Sequence, residues 1–433
     1  MRKLLLAPIA ALLLIACTNA PQGPNWVDLF DGETLTGWTR AVGEAEFVVE
    51  DGVIIGTARR GTTNAFLRTD QEFDNFILEF EFKVTDGLNS GVQIRSHQQT
   101  GGRRLVYGYQ WEIDPLERAW SGGIFDEARR GWLYPLSFNQ KGREAWKGEG
   151  VWQHGRVEAI GPSIRGWLNG VPSCDLWCDL TEKGFIALQV HGSNMREDGA
   201  TASFRNIRII TEDLEKWATP NHGEIHHVNA IPNTLSPQEI EAGWELLWDG
   251  TSMQGWNNAY GWEINNGIVS VVAGTDGDHL ISDRLFSNFW LSVDFRVGSG
   301  SSSGIFYLVD EEGNGLEYQT IDNRTNPHAQ GKRTLGSLFD LVAAPADLTA
   351  PPIMRWADFN TAWVKVYGNT IEHWLNGTKL FSVERNNETW NNLVRENMPN
   401  AAPGFGNETE GRIMLQHSGS RFDFRNVKIK ELP

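Results

Sequence analysis

Cysteine is scarce: Cys17, Cys174 and Cys178 are the only three in 433 residues. The last two stand four apart, roughly 13 Å on an extended strand, too far for a disulfide, so they could pair only across a turn. Two thiols alone also make a weak metal site. Lys/Arg-rich runs are absent and the formal charge is −17, which argues against a nucleic-acid partner. The apolar stretch Leu4–Ile15 is too short to span a bilayer comfortably. Tryptophan, by contrast, is abundant at 19 residues. Most belong in cores, and exposed ones in an exported protein suit sugar stacking. The length exceeds what one compact core holds, so two domains are expected.

The N-terminus has the layout of a secretory signal, with Arg2 and Lys3 before the apolar run. Leu14-Ile15-Ala16-Cys17 resembles a bacterial lipobox, in which the Cys becomes the lipid-carrying first residue of the mature chain. Residues 1–17 are therefore read as a lipoprotein signal with lipidation at Cys17, and 18–25 as a tether. Thr18 stands where an inner-membrane retention Asp would be. The expected location is the cell envelope, at the outer membrane or its periplasmic face.

The chain repeats itself. Trp26-Val-Asp-Leu-Phe-Asp-Gly32 returns as Trp244-Glu-Leu-Leu-Trp-Asp-Gly250, Asn89-Ser-Gly91 as Ser302-Ser-Gly304, Leu168-Asn-Gly170 as Leu375-Asn-Gly377, and Phe204-Arg-Asn206 as Phe424-Arg-Asn426. Constant order and a slowly drifting offset mark a duplicated domain of about 190 residues. The copies are assigned to 26–213 and 244–433, with a linker at 214–243. Alternation in Ile77–Val84 and Leu291–Val297, with many Gly and Asn turns, predicts antiparallel all-β sandwiches. In the linker, Ser236-Pro-Gln-Glu239 predicts one short capped helix ended by Gly243.

Strand parity exposes polar side chains opposite apolar ones. Gln93, Arg95 and His97 oppose Val92 and Ile94. Gln110, Glu112 and Asp114 oppose Tyr109, Trp111 and Ile113. Gln189 and His191 oppose Leu188 and Val190, and His154, Arg156 and Glu158 oppose Val157 and Ala159. If these strands adjoin, the groups gather on one face. A solvated sheet face is the plain alternative, but Arg, His and Gln with little Lys favour binding. In the second copy Gln93 becomes Phe306, Arg95 Leu308 and His191 Ser418, while Glu317, Gln319 and Gln416 remain. Chemistry is thus expected in the first copy.

Gly108-Tyr-Gln-Trp-Glu-Ile-Asp-Pro115 and Arg118-Ala-Trp-Ser-Gly-Gly-Ile-Phe-Asp-Glu-Ala-Arg-Arg-Gly-Trp-Leu-Tyr-Pro135 closely resemble the 3-keto-disaccharide hydrolase family, also described as 3-keto-α-glucoside lyases and 3-keto-2-hydroxy-glucal hydratases. Gly184-Phe-Ile-Ala-Leu-Gln-Val-His191 fits too, and the resemblance extends over both copies. It implies two concanavalin-like jelly rolls and cleavage of 3-keto-glycosides. A carbon-3 ketone acidifies the carbon-2 proton; its removal lets the aglycone leave carbon 1, and water then adds back. That needs a base, an acid and a positive group for the enolate. Glu112, His191 or Asp114 are candidate bases. Asp126 or Glu127 are candidate acids or metal ligands, and Arg95 the enolate partner. Gln93, Gln110, Asp114, Glu127, Arg129 and Gln189 are candidate substrate contacts, and Trp120, Trp132 and Tyr134 candidate sugar platforms. A divalent cation held by carboxylates and His could replace or assist the positive group; no organic cofactor is expected. An oxidoreductase making the 3-keto sugar is the implied functional partner.

Two other readings remain. One is a non-catalytic carbohydrate-binding lipoprotein using the same face. The other is a conventional glycosidase, for which Glu112 and Asp114, about 7 Å apart on one strand, aim the same way rather than across a bond. His222-Gly-Glu-Ile-His226-His227 has metal-like spacing but lacks a firm element to fix its geometry, so a surface linker is expected there.

Overall fold

The computed structural model describes residues 23–101, 105–192, 198–220, 223, 225–346, 355 and 358–433. The leader, Cys17 and His222 lie outside the described residues.

Phe76–Val84 shows how the sequence builds the fold. Leu78, Phe80, Phe82 and Val84 are buried on one side, with Glu79, Glu81 and Lys83 between them on the other. It pairs with Gln153–Ile160 and with Thr201–Ile210, forming the middle of one sheet. The facing sheet runs Gly131–Tyr134, Ile124–Glu127, Val106–Ile113, Ser90–Gln98, Gly184–Val190, Ala65–Phe73, Trp38–Val42. The core fills between them: Trp111 meets Phe80 edge-on at 5.2 Å and Phe82 at 5.6 Å. The second copy repeats the plan, with Phe289–Val297 between Asn360–Tyr367 and Phe422–Glu431. Each copy is a jelly-roll sandwich with its own core. Cys174 and Cys178 are both buried and free.

One irregularity recurs in both copies. Arg95 (φ 45°) and Leu308 (φ 52°) adopt left-handed backbone at a bulge, where the register shifts between Ile94 and His97 and between Phe306 and Val309. The bulge corrects the parity expectation for Arg95. Its guanidinium is buried and donates to the Asp74 carbonyl (2.6 Å), the Gly161 carbonyl (2.7 Å) and Asn75 Oδ1 (3.2 Å). Those partners sit in the turn before Phe76–Val84 and the turn after Gln153–Ile160, so Arg95 ties the two sheets together. His97 is carried with the shift to lie against Tyr107, 5.8 Å between rings.

A second correction concerns the linker. Ser236 caps Pro237–Glu241 with a full capping box, and Gly243 (φ 82°) follows. Yet the segment before it is not a surface strap. Ile225, Val228 and Ala230 pack on the first core, and Val228–Asn229 adds a parallel strand to Val171–Trp177. His226 lies 4.6 Å from the Trp363 ring, and burial lowers its pKa to about 4. His227 Nε2 is 2.8 Å from Ser236 Oγ. Glu239 bonds Lys428 at 2.8 Å, so the linker docks both copies. The helix Glu388–Asn397, absent from the sequence reading, forms because Asn387 caps it and Trp390 buries against the second core.

Arg95→Met should lower the unfolding free energy by about 2–4 kcal/mol, since the three charge-assisted hydrogen bonds of a buried guanidinium that join the two sheets are lost. Urea unfolding of the variant beside the wild type checks this.

Candidate active site

The strands Ser90–Gln98, Val106–Ile113 and Gly184–Val190 adjoin, so their outward side chains form cross-strand rows. Gln189, Gly91 and Glu112 are paired in one row; Ala187, Gln93, Gln110 and Phe125 are paired in the next. The face is not solvated: Gln93, Gln110, Glu112 and Gln189 are each at most 4% exposed. A chain of hydrogen bonds runs along it. Ser96 Oγ donates to Gln93 Oε1 (2.7 Å), Gln93 Nε2 to Gln110 Oε1 (2.6 Å), and Gln110 Nε2 to Glu112 Oε2 (2.6 Å). Asn89 Nδ2 donates to Glu112 Oε1 at 2.6 Å. Gly91 makes the room, since a Cβ there would stand 2.4 Å from Gln110 Cδ. Gln189 differs from the rest: neither polar atom of its buried amide has a hydrogen-bond partner. An unpaired buried amide is a ready donor and acceptor for a ligand.

Burial pushes the Glu112 carboxyl up to about 8, the charges of Asp114 and Glu127 add to this, and the Gln110 and Asn89 donors oppose it. Glu127 is also raised, chiefly by burial, with a contribution from the Asp126 charge. Asn64 Nδ2 donates to Glu127 at 3.2 Å, while Asn64 Oδ1 accepts from Gly192 N at 3.0 Å. His191, next to Gly192, lies one residue past the Val190–Ser90 pair, at the end of that strand. The structure thus gathers Glu112, Glu127, Gln93, Gln110 and Gln189. Asn64 and Asn89, which position them, were missed. Asn89 stood in the repeated Asn-Ser-Gly motif, whereas Asn64 had no sequence signal.

Other candidates are placed elsewhere. Arg95 is held in the sheet-to-sheet tie. Asp126 pairs across from the core-facing Tyr109, so it points away from Glu112; it accepts from Arg129 Nε (2.7 Å) and Arg130 Nε (2.6 Å). Arg129 is thereby committed to Asp126 and to Thr181 (2.8 Å). Asp114 lies past the strand end and accepts from Arg118 Nε at 2.5 Å. His154, Arg156 and Glu158 belong to the other sheet, where Arg156 and Glu158 join Glu79, Arg165 and Arg208 in ion pairs. Tyr134 is core and donates to the His226 carbonyl at 2.5 Å. Trp120 and Trp132 meet edge-on at 4.9 Å, and Trp132 meets Phe125 at 5.4 Å. Because Phe125 pairs with Gln110, this aromatic wall continues the polar row. Trp120 is nearly buried, so the half-buried Trp132 is the usable platform. Arg355 of the second copy donates to the Trp132 carbonyl, bracing that wall.

Among the described residues, no three His, Cys, Asp or Glu side chains are grouped to hold a metal ion. Both oxygens of Glu112 are already engaged by amides. Among the described residues, the side chains of this face do not fit a cation cage.

A sandwich with buried acids, amides and an aromatic wall on one sheet face is the layout of a carbohydrate-active enzyme. Residues 25–210 and 243–430 each match the model of the 3-keto-alpha-glucoside-1,2-lyase-like domain, and the chain belongs to that family. It is 29% identical over 233 residues to a 3-keto-disaccharide hydrolase of Bacteroides thetaiotaomicron, covering 44% of this chain and 79% of the relative. A candidate glycosyl hydrolase from Parabacteroides distasonis is 27% identical, covering 47% of this chain and all of that one, with a TM-score of 0.42. A carbohydrate-binding module from Bacillus subtilis is 17% identical over 40% of this chain and 96% of its own, with a TM-score of 0.31.

Between the unfolded carboxyl value of 4.5 and about 8, Glu112 is neutral in the fold and charged in the unfolded chain. The unfolded state then binds fewer protons, so this carboxyl costs stability as pH rises through that window. The stability of Glu112→Gln relative to wild type should therefore climb between pH 5 and 8, by at most about 1.4 kcal/mol per unit. Denaturant titrations at several pH values measure it; a flat difference would mean that Glu112 is not held neutral.

Proposed function

We propose that the first copy cleaves 3-keto-glycosides by elimination and hydration, releasing 3-keto-glucose. The observation that carries this is Glu112, a carboxyl whose proton affinity is raised by burial to about 8, in one row with the unpartnered Gln189 amide. A carboxylate of that basicity is matched to abstracting the proton beside a ketone.

In the proposed course, Glu112 takes the carbon-2 proton and the electron pair forms the enolate across carbons 2 and 3. The Gln189 amide donates to the enolate oxygen. As the ketone re-forms, the carbon-1 to oxygen bond breaks and Glu127, whose proton affinity is raised by burial, gives a proton to the leaving oxygen. Water then adds at carbon 1 while the proton returns to carbon 2, so the sum is hydrolysis. His191, at the end of the Gly184–Val190 strand, would relay protons to water. Trp132 supports the sugar ring. Export and lipid anchoring through Cys17 would set this activity at the cell envelope, downstream of an oxidoreductase acting on carbon 3.

Incubation with a 3-keto-glucoside in deuterated water should place deuterium at carbon 2 of the released 3-keto-glucose, above the spontaneous exchange. Release without it would mean direct hydrolysis. Turnover should rise with pH toward about 8, and Glu112→Gln should lower kcat by about 100-fold or more while substrate still binds. A parallel reaction with chelator reports any cation.

A further inference from the structure

The second copy keeps the backbone of this face and replaces its chemistry. Gly304 pairs with Gln319 and Phe306 with Glu317, the same register that pairs Gly91 with Glu112 and Gln93 with Gln110. The acid and amide have exchanged positions along the strand. Glu317 leans over Gly304 as Gln110 leans over Gly91: a Cβ on Gly304 would stand 2.5 Å from Glu317 Oε1. Unlike Gln110, the Glu317 carboxyl has no hydrogen-bond partner among the described residues. Burial raises it to about 8, helped by the Asp340 charge and opposed by Arg333, which is itself paired with Asp340 at 2.5 Å. It lines a cavity of about 260 Å³ with Phe306, Phe339, Leu341, Met398 and Phe405.

Glu317 is part-exposed at the mouth of this apolar-walled cavity, so its carboxyl is open to a ligand that hydrogen-bonds to it. At neutral pH it is a proton donor. The aromatic and thioether walls suit the face of one flat ring, and the cavity volume of about 260 Å³ matches a ligand portion of that size. We infer that the second copy is a binding site for the aryl aglycone of a glycoside, with the ring among Phe306, Phe339 and Phe405 and an ether or hydroxyl oxygen accepting from Glu317. The choice of a glycoside rests on the function proposed for the first copy. The exchange of Gln93 for Phe306 turns a polar face into an aglycone pocket, and the chain gains a non-catalytic hold on the leaving-group end of such molecules.

Phenyl β-glucoside, which has no ketone to eliminate, separates this site from turnover. Titrated into the full chain by calorimetry and saturation-transfer NMR at pH 6.5, it should bind saturably. Glu317→Ala should weaken binding about tenfold, and Phe339→Ala by a similar factor. Glu317→Gln, which still donates, should bind nearly as wild type and lose the fall in affinity seen in wild type above about pH 8. Glu112→Gln should leave this binding unchanged. Absence of binding by the wild type would overturn the inference, as would affinity insensitive to both Glu317→Ala and Phe339→Ala, or binding lost in Glu112→Gln alone. If Glu317→Ala fails to fold, Glu317→Gln across pH and Phe339→Ala decide. Turnover of the 3-keto-glucoside is scored separately, so its absence would count only against the first-copy reading.

Discussion

The arrangement depends on a one-residue bulge at Arg95 and its counterpart Leu308. Before the bulge, Ser90–Gln98 presents Gly91 and Gln93 outward; at the bulge the chain turns left-handed and the alternation breaks. The residue at the break points inward in both copies, and each copy uses it differently. In the first, a guanidinium satisfies two carbonyls and an amide from the opposite sheet. In the second, a leucine fills the same interior. A bulge that survives such a change in side chain is a property of the backbone plan.

On the outward face, desolvation is the governing term. Amides hold Glu112 in place and favour its charge, yet burial outweighs them and leaves it with a high proton affinity. Glu127, drawn in through Asn64, is raised as well. Burial thus raises the proton affinity of two carboxyls on one face. Asp126 and Asp114 are placed differently. Each meets arginine at hydrogen-bonding distance, and both serve to organise the hairpin and loop that carry Trp120 and Trp132. The second copy braces that hairpin through Arg355, and the linker joins both copies through Asp175, His227, Glu239 and Lys428. Duplication has thus produced one face rich in acids and amides, one altered face and a shared seam.

Much of the plan was legible beforehand because it rests on local rules. The repeat, the alternating strands, the Ser236 capping box and the polar row of Gln93, Gln110, Glu112 and Gln189 follow from spacing of two, from capping chemistry and from internal similarity. Parity failed where its assumption failed, at Arg95, where a bulge resets the alternation; Asp126 was a candidate from the motif resemblance, and its neighbour Glu127 takes the outward position. It also could not say which strands share a sheet, so His154, Arg156 and Glu158 were grouped with a face that lies across the core from them.

The sequence by itself determined that the chain is two copies of an antiparallel sandwich and which residue types line each strand, since both are written in periodicity. The tertiary structure decided which of those residues meet. Only packing brings Asn64 from one loop to Glu127 on a distant strand, leaves the Gln189 amide without a partner, and removes enough water to lift Glu112 and Glu317 to about 8. Those are effects of dielectric and of long-range contact, and no local pattern of residues encodes them.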